Sequence, residues 1–271
     1  MALAPVESAD LERRFGGLRR LYGEAGYARV RAARIAIVGV GGVGSWAAEA
    51  LARSGVAALT LIDLDHVAES NVNRQVQALG ATLGMAKVDA LAERIADIHP
   101  GCVVHRVEAF AEAGNWPALL PAAVDAVIDA CDQVRAKQAM AAWAIRERMP
   151  FVCVGAAGGK QLAQQVEVDD LARATHDPLL ASLRQRLRKD DGAPRQGAIG
   201  VRAVFSRETV QVPLAACEGD PVAADLSCQG YGSSVMVTAT FGMVAAGEVL
   251  RLLQGSAMAA QPATEAEYGA I

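Results

Sequence analysis

The sequence predicts an α/β fold with a doubly wound, mostly parallel Rossmann-like sheet. Three observations lead there. The glycine-rich run Gly39-Val40-Gly41-Gly42-Val43-Gly44 follows a short apolar, β-branched stretch and opens a helical pattern. Runs of strand length then alternate with helix-length segments of 3.6-residue period. Asp63 and Asp129 sit at the carboxyl ends of such runs, where the ligand of a doubly wound sheet lies.

Residues 1–11 carry Pro5, Glu7 and Asp10 and no apolar core of a signal peptide, so a disordered terminus is expected. Residues 11–30 form a helical lead-in broken at Gly16-Gly17. Ile35, Ile37 and Val38 make the first strand, and Trp46, Ala47, Ala50 and Leu51 the helix after the glycines. Residues 59–63 are the second strand, and 67–79 are polar where a simple βαβ unit has a short connection. Residues 87–98 return to helical period, with Val88, Leu91, Ile95 and Ile98 on one face. Strands follow at 102–107, 124–130 and 151–154, with a helix at 135–148. The second glycine-rich turn, 155–159, ends in Gly159-Lys160-Gln161 and lacks the Ser/Thr and spacing of a P-loop. Residues 166–170 read as a strand of a second half, 177–190 as a helix started by Pro178, 191–200 as a Gly/Pro-rich loop and 201–205 as a strand. Residues 206–232 are poorly periodic. The apolar stretch 235–253 is interrupted by Glu248 and Arg251, and its uncharged part falls short of the roughly 20 residues a membrane span needs. A buried core helix is the expectation, with a disordered tail over 255–271.

The chain has 271 residues, enough for one large α/β domain or a domain with an attached lobe, and its 52% hydrophobic and 21% charged content is that of a soluble globular protein. With a net charge of −4, any nucleic acid must be held by a local basic patch. The five cysteines show no paired spacing, which favours reduced thiols and a cytoplasmic location.

In the glycine run, Gly39 permits the tight turn, Gly41 lets backbone amides approach a phosphate, and Gly44 lets the helix pack close on the strand. Asp63 stands where a ribose hydroxyl needs an acceptor. Asn71, Arg74 and Gln75, with Lys87 at the next helix start, bring two cations to the place where phosphates would lie. That suits a triphosphate better than a dinucleotide, because displacement at phosphorus needs charge spread onto the leaving group. Asp132 is then a natural Mg²⁺ ligand, since Mg²⁺ is held by one or two carboxylates together with phosphates.

These residues carry a resemblance. RFGG (14–17), GVGGVG (39–44), LIDLD (61–65), SNVNRQ (70–75), GMAK (84–87) and IDACD (128–132) look like the adenylating domain of the E1/MoeB/ThiF superfamily. Within it, RRFGGLRRLYG, DPLLASLRQRLRKD and GYGSSVMVTATFGMVAAGEVL resemble the tRNA threonylcarbamoyladenosine dehydratase branch. The resemblance implies an E1-like adenylating domain over 12–254, with 170–232 as a substrate-contacting insertion. It implies ATP and Mg²⁺ as cofactors, a homodimer, and tRNA carrying t6A37 as substrate. Gly41 and Gly42 would meet the phosphates, Asp63 the ribose, Asn71, Arg74 and Lys87 the triphosphate, and Asp132 the Mg²⁺. The implied reaction is ATP-dependent cyclisation of the N6-threonylcarbamoyl group on adenosine 37 through an acyl-adenylate, with Arg74, Lys87 and Asp132 as catalytic groups. A monovalent cation (Na⁺ or K⁺) and a cysteine desulfurase or sulfur-acceptor partner stay open. In sulfur-carrier-activating relatives an R-Y-x-R motif supplies an arginine to the partner subunit; Gly17 stands at its second arginine, so Arg14 and Arg20 are the substitutes.

Cys228, in DLSCQGYGS, is the candidate reactive thiol, ahead of Cys217, because glycines surround it. Arg184, Arg186, Arg188 and Lys189 lie within two helical turns, with Arg195 and Arg202 downstream, and are expected to contact tRNA phosphates. The alternative activity is adenylation of the C-terminus of a ubiquitin-like sulfur carrier, disfavoured by the lack of CxxC pairs for structural Zn²⁺. An NAD-dependent oxidoreductase is disfavoured by Arg74 and Lys87, and a nucleotide-sensing or tRNA-binding module without turnover is the reading from another class.

Overall fold

The computed structural model describes residues 9–211 and 231–255. Two helices, α1 (Leu11–Phe15) and α2 (Gly17–Ala32), lead into β1 (Arg34–Val38), α3 (Gly44–Arg53) and β2 (Ala58–Ile62). After a connection containing two 3₁₀ turns come α4 (Lys87–Ile98), β3 (Val103–Val107), β4 (Ala126–Asp129), α5 (Val134–Glu147) and β5 (Phe151–Val154). β6 (Val166–Asp170), α6 (Pro178–Asp190), β7 (Arg202–Ser206) and α7 (Val235–Leu253) complete the described chain.

Among the described residues seven strands form one sheet in the order β3-β2-β1-β4-β5-β7-β6, parallel except for β6, which pairs antiparallel with β7. Alternate side chains of β1 go to opposite faces: Ile35 and Ile37 join a core with α3, α4 and α7, while Ala36 and Val38 join one with α5 and α6. Burial on both faces explains why the run reads as continuously apolar.

The helices start and stop where their residues require. Asp177 caps α6 by accepting from the Leu180 amide, Pro178 fits the first helical turn, and Leu179, Leu180, Leu183 and Leu187 fill the buried stripe. α7 is long and apolar enough to cross a membrane, yet Val237, Phe241, Ala245, Val249 and Leu250 belong to the core beside α3. Gly242 allows that approach, because a Cβ there would stand 2.8 Å from Trp46 Cβ and 2.9 Å from the Ala47 amide nitrogen.

Residues 166–170 are a strand in the second half of this sheet, where they form its antiparallel edge, and β7 lies between them and β5. α6 and β7 supply Leu180, Leu183, Leu187, Ala203 and Phe205 to the core on one face of the sheet. In the lead-in, Gly16 is right-handed and merely separates α1 from α2, while Gly23 at φ +67° makes an additional kink.

Candidate functional site

The sheet order places β1 beside both β2 and β4, so the winding reverses between β1 and β4 and a crevice opens at their carboxyl ends. The glycine turn lines that crevice. Gly39 adopts φ +83°, and a Cβ on it would come 2.9 Å from the Ala130 carbonyl oxygen and 3.0 Å from the Cys131 nitrogen. Gly44 has no room for a Cβ at all, which would overlap the Gly39 carbonyl. At Gly41 the same position meets only Gln75 Nε2, at 3.9 Å, so this part of the turn is open to a ligand. α3 begins at Gly44; its Ser45 and Ala47 amides donate to the Gly41 and Val43 carbonyls, and the helix dipole favours an anion at this end.

The Val40 peptide is held from both sides. Its N–H donates to Asp63 Oδ2 at 2.8 Å, and its carbonyl accepts from Gln77 Nε2 at 2.9 Å. Asp63 Oδ1 accepts from the Asp65 amide at 2.9 Å. Burial raises the Asp63 pKa from its ordinary value, against the opposing pull of Lys87 and of the Asp65 and Val40 amides. Gln77 was not picked out from sequence. Its signal was its place two residues beyond Gln75 in a polar run that the fold buries.

Two cations, Lys87 and Arg74, stand at this end of the sheet. Lys87 is nearly buried at the start of α4 and its Nζ lies 2.7 Å from Asp65 Oδ2. Arg74 Nη1 donates to the Ser70 carbonyl at 2.5 Å and to Asn73 Oδ1 at 3.0 Å, and its stem lies 3.5 Å from the Cβ position of Gly42. Trp46 Nε1 fixes the Arg74 carbonyl at 2.9 Å, with Thr238 Oγ1 adding a longer contact at 3.4 Å. Asn71 is buried and its Oδ1 accepts from the Ala68 amide, so it shapes the turn that presents Arg74. Buried Gln75 accepts from Gln77 Nε2 at 3.2 Å.

Asp132 is exposed in the loop after β4, where its Oδ1 meets Gln133 Nε2 at 3.5 Å. Asp129, three residues earlier, is fully buried and ion-paired to fully buried Lys137 at 3.1 Å. Among the described residues no three His, Cys, Asp or Glu side chains gather to hold a metal by themselves. The donor set at this crevice, one free carboxylate beside an anion cradle, is the kind that holds Mg²⁺ together with phosphate oxygens.

The six basic residues downstream divide. Arg184 turns inward, donating to the carbonyls of Leu171 (3.1 Å) and Ala174 (2.7 Å), and burial with neighbouring Arg188 lowers its pKa. Arg202 is committed to Glu248 at 2.6 Å. The α6 register that buries Leu180, Leu183 and Leu187 puts Arg184 over a 3₁₀ turn, and Arg202 begins β7, the neighbour of the edge strand β6, so both are engaged within the chain. Arg188 donates its Nε to the Pro194 carbonyl, while Arg186 is part-exposed and Lys189 and Arg195 are exposed. Of the two arginines considered for a partner subunit, Arg14 caps the end of α4 through the carbonyls of Asp97 and Ile98, and Arg20 is exposed. Cys228 and Cys217 lie outside the described residues. Among the described thiols, burial pushes Cys102 up to about 11 and holds Cys131 and Cys153 well above the usual thiol range.

Comparison with known proteins adds three findings. The ThiF family model matches residues 14–269. The chain is 44% identical over 266 residues to the tRNA threonylcarbamoyladenosine dehydratase of Escherichia coli (strain K12), covering 94% of this chain and 98% of that one. It also superimposes on crystal structures of E. coli tRNA N6-threonylcarbamoyladenosine dehydratase in complex with ATP (TM-score 0.83, 42% identity) and with AMP (TM-score 0.82, 43% identity), each covering 94% of this chain and all of that one.

Proposed function

The chain belongs to the ThiF family, and on that premise we propose that it is an ATP-dependent tRNA threonylcarbamoyladenosine dehydratase. The observation that carries this reading is the crevice at β1 and β4, in a chain that matches relatives crystallised with ATP and with AMP over almost its whole length. The threonylcarbamoyl carboxylate is a poor electrophile, because its oxygen leaves badly. Attack of that carboxylate on the α-phosphorus of ATP expels pyrophosphate and gives an acyl-adenylate. A nucleophile already present in the threonylcarbamoyl group then closes the ring and expels AMP, so that the substrate loses the elements of one water. Closure is intramolecular and needs mainly orientation.

In this reading the first turn of α3 and the amides of Gly41 and Gly42 bind phosphate, and Asp63 binds the ribose while clamping the Val40 peptide. Arg74 and Lys87 neutralise charge on the departing pyrophosphate, Lys87 exchanging Asp65 for phosphate oxygen. Asp132 would hold Mg²⁺, which supplies charge neutralisation at the phosphates when bound. The tRNA backbone is gripped by Arg186, Lys189 and Arg195, with Arg188 contributing its terminal amines. The working form is a homodimer in the cytoplasm, in which a second copy covers exposed apolar side chains such as Leu21, Met236 and Met243. The test is product analysis: with t6A-containing tRNA, ATP and Mg²⁺, the protein releases AMP and pyrophosphate in step. Release of ADP and phosphate, or equal turnover without tRNA, would contradict the reading.

A further inference from the structure

Lys137 has no role in the chemistry described so far, yet its long cationic side chain is fully buried. It lies in the first turn of α5, where the helix dipole disfavours a cation and burial disfavours any charge. Its Nζ nevertheless finds three oxygen acceptors: the Val154 carbonyl at 2.7 Å, Asp129 Oδ2 at 3.1 Å and the Asp129 carbonyl at 3.4 Å. Although burial works against its charge, the Asp129 carboxylate overcomes this and raises its pKa. Asp129 Oδ1 in turn accepts from the Cys131 amide at 3.3 Å and from Cys131 Sγ at 3.1 Å.

This brace grips the loop Ala130–Cys131–Asp132 from below. The Ala130 amide also donates to the Val38 carbonyl at 2.8 Å, and the Ala130–Cys131 peptide is the surface against which Gly39 packs. Lys137 thus joins the end of β5, the loop bearing Asp132 and the underside of the glycine turn. A buried ion pair is a poor source of stability, since apolar side chains of similar volume often do as well or better. What it supplies that apolar packing does not is direction, because three acceptors fix one loop geometry.

We propose that Lys137, acting through Asp129, is a positioning residue that sets the Asp132 carboxylate for the divalent cation that accompanies ATP. The inference rests on the assignment of Asp132 as the Mg²⁺ ligand. Its test is the paired variant Asp129→Asn with Lys137→Met, which removes both charges together. Calorimetric titration of a non-hydrolysable ATP analogue, with and without Mg²⁺, should show the half-saturating Mg²⁺ concentration rising at least tenfold, while Mg²⁺-free analogue affinity and the thermal midpoint stay near those of the unaltered protein. An unchanged Mg²⁺ requirement in the folded pair would overturn the inference. If the pair does not fold, Asp129→Asn alone carries the same comparison, because it keeps the side-chain volume and the two carbonyl acceptors of Lys137. Asp132→Asn runs in parallel. If that variant also leaves the Mg²⁺ requirement unmoved, the metal assignment itself fails, whereas a shift in Asp132→Asn without one in the brace variants removes only the role of Lys137.

Discussion

At the scale of single residues, the account depends on contacts made only as charge develops on phosphate. Arg74 is held at both ends, its carbonyl by Trp46 and its guanidinium by Ser70 and Asn73, so its position is set before a ligand arrives. Arg74→Ala should lower kcat about a hundredfold, a loss of ~3 kcal/mol of transition-state stabilisation, with a smaller change in ATP affinity. Steady-state pyrophosphate release measures both, and full activity in the variant would remove Arg74 from the mechanism. Glycines, strand-end carboxylates and cations at helix starts are legible in a sequence because each carries a chemical reason for its place. Gln77, Trp46, Thr238 and Lys137 were not, because they act through backbone carbonyls, and a carbonyl partner leaves no mark in a sequence. The same holds for the contacts of Arg184: a helix wheel shows its angle but hides the Leu171 and Ala174 carbonyls it reaches.

At the scale of elements, α6 and α7 make separable predictions. Neutralising Lys189 and Arg195 should weaken tRNA binding and flatten its salt dependence by between about one and two units of log–log slope, leaving ATP affinity intact. Arg184→Gln should instead cost stability, on the order of 1–3 kcal/mol for carbonyls left without a donor, and should leave the salt slope unchanged. Filter binding across a salt series and urea denaturation separate the two, and an unchanged slope for the first variant would place the RNA surface elsewhere. On α7, Gly242→Ala forces a methyl group against Trp46 and the start of α3. Overpacking of this kind costs ~1–3 kcal/mol, and here it also moves the phosphate helix, so ATP affinity should fall along with the thermal midpoint. The element pattern itself was readable almost throughout, since strands buried on both faces and helices with one apolar stripe have different periods. The direction and sheet position of β6 were not readable, because a five-residue strand carries no sign of which neighbour it will pair with.

At the scale of the whole molecule, stability and activity respond to pH through different groups. Burial would raise the pKa of Glu248, but its bonds to Arg251 and Arg202 outweigh burial and hold the carboxyl below its ordinary 4.5. A depressed folded-state value means that this contribution is fully present above pH 4.5 and is lost as pH falls through the folded value. Buried Asp63 and Asp177 are raised above 3.8 and run the other way, their contribution being present below 3.8 and lost as pH rises through their folded values. The stability deficit of Glu248→Gln, followed by denaturant titration, should therefore be constant near neutrality and shrink below pH 4.5; a deficit independent of pH would assign the effect to packing alone. The joined sheet, with the crevice at β1 and β4 and the basic end of α6 on one chain, is the frame on which nucleotide and tRNA have to meet. The measurement that tests this most directly is mass analysis of the nucleosides of t6A-containing tRNA after incubation with the protein, ATP and Mg²⁺. The account predicts that the N6-threonylcarbamoyladenosine at position 37 loses the mass of one water, in step with AMP and pyrophosphate release and not in the Arg74→Ala protein. An unmodified nucleoside alongside full ATP turnover would contradict it.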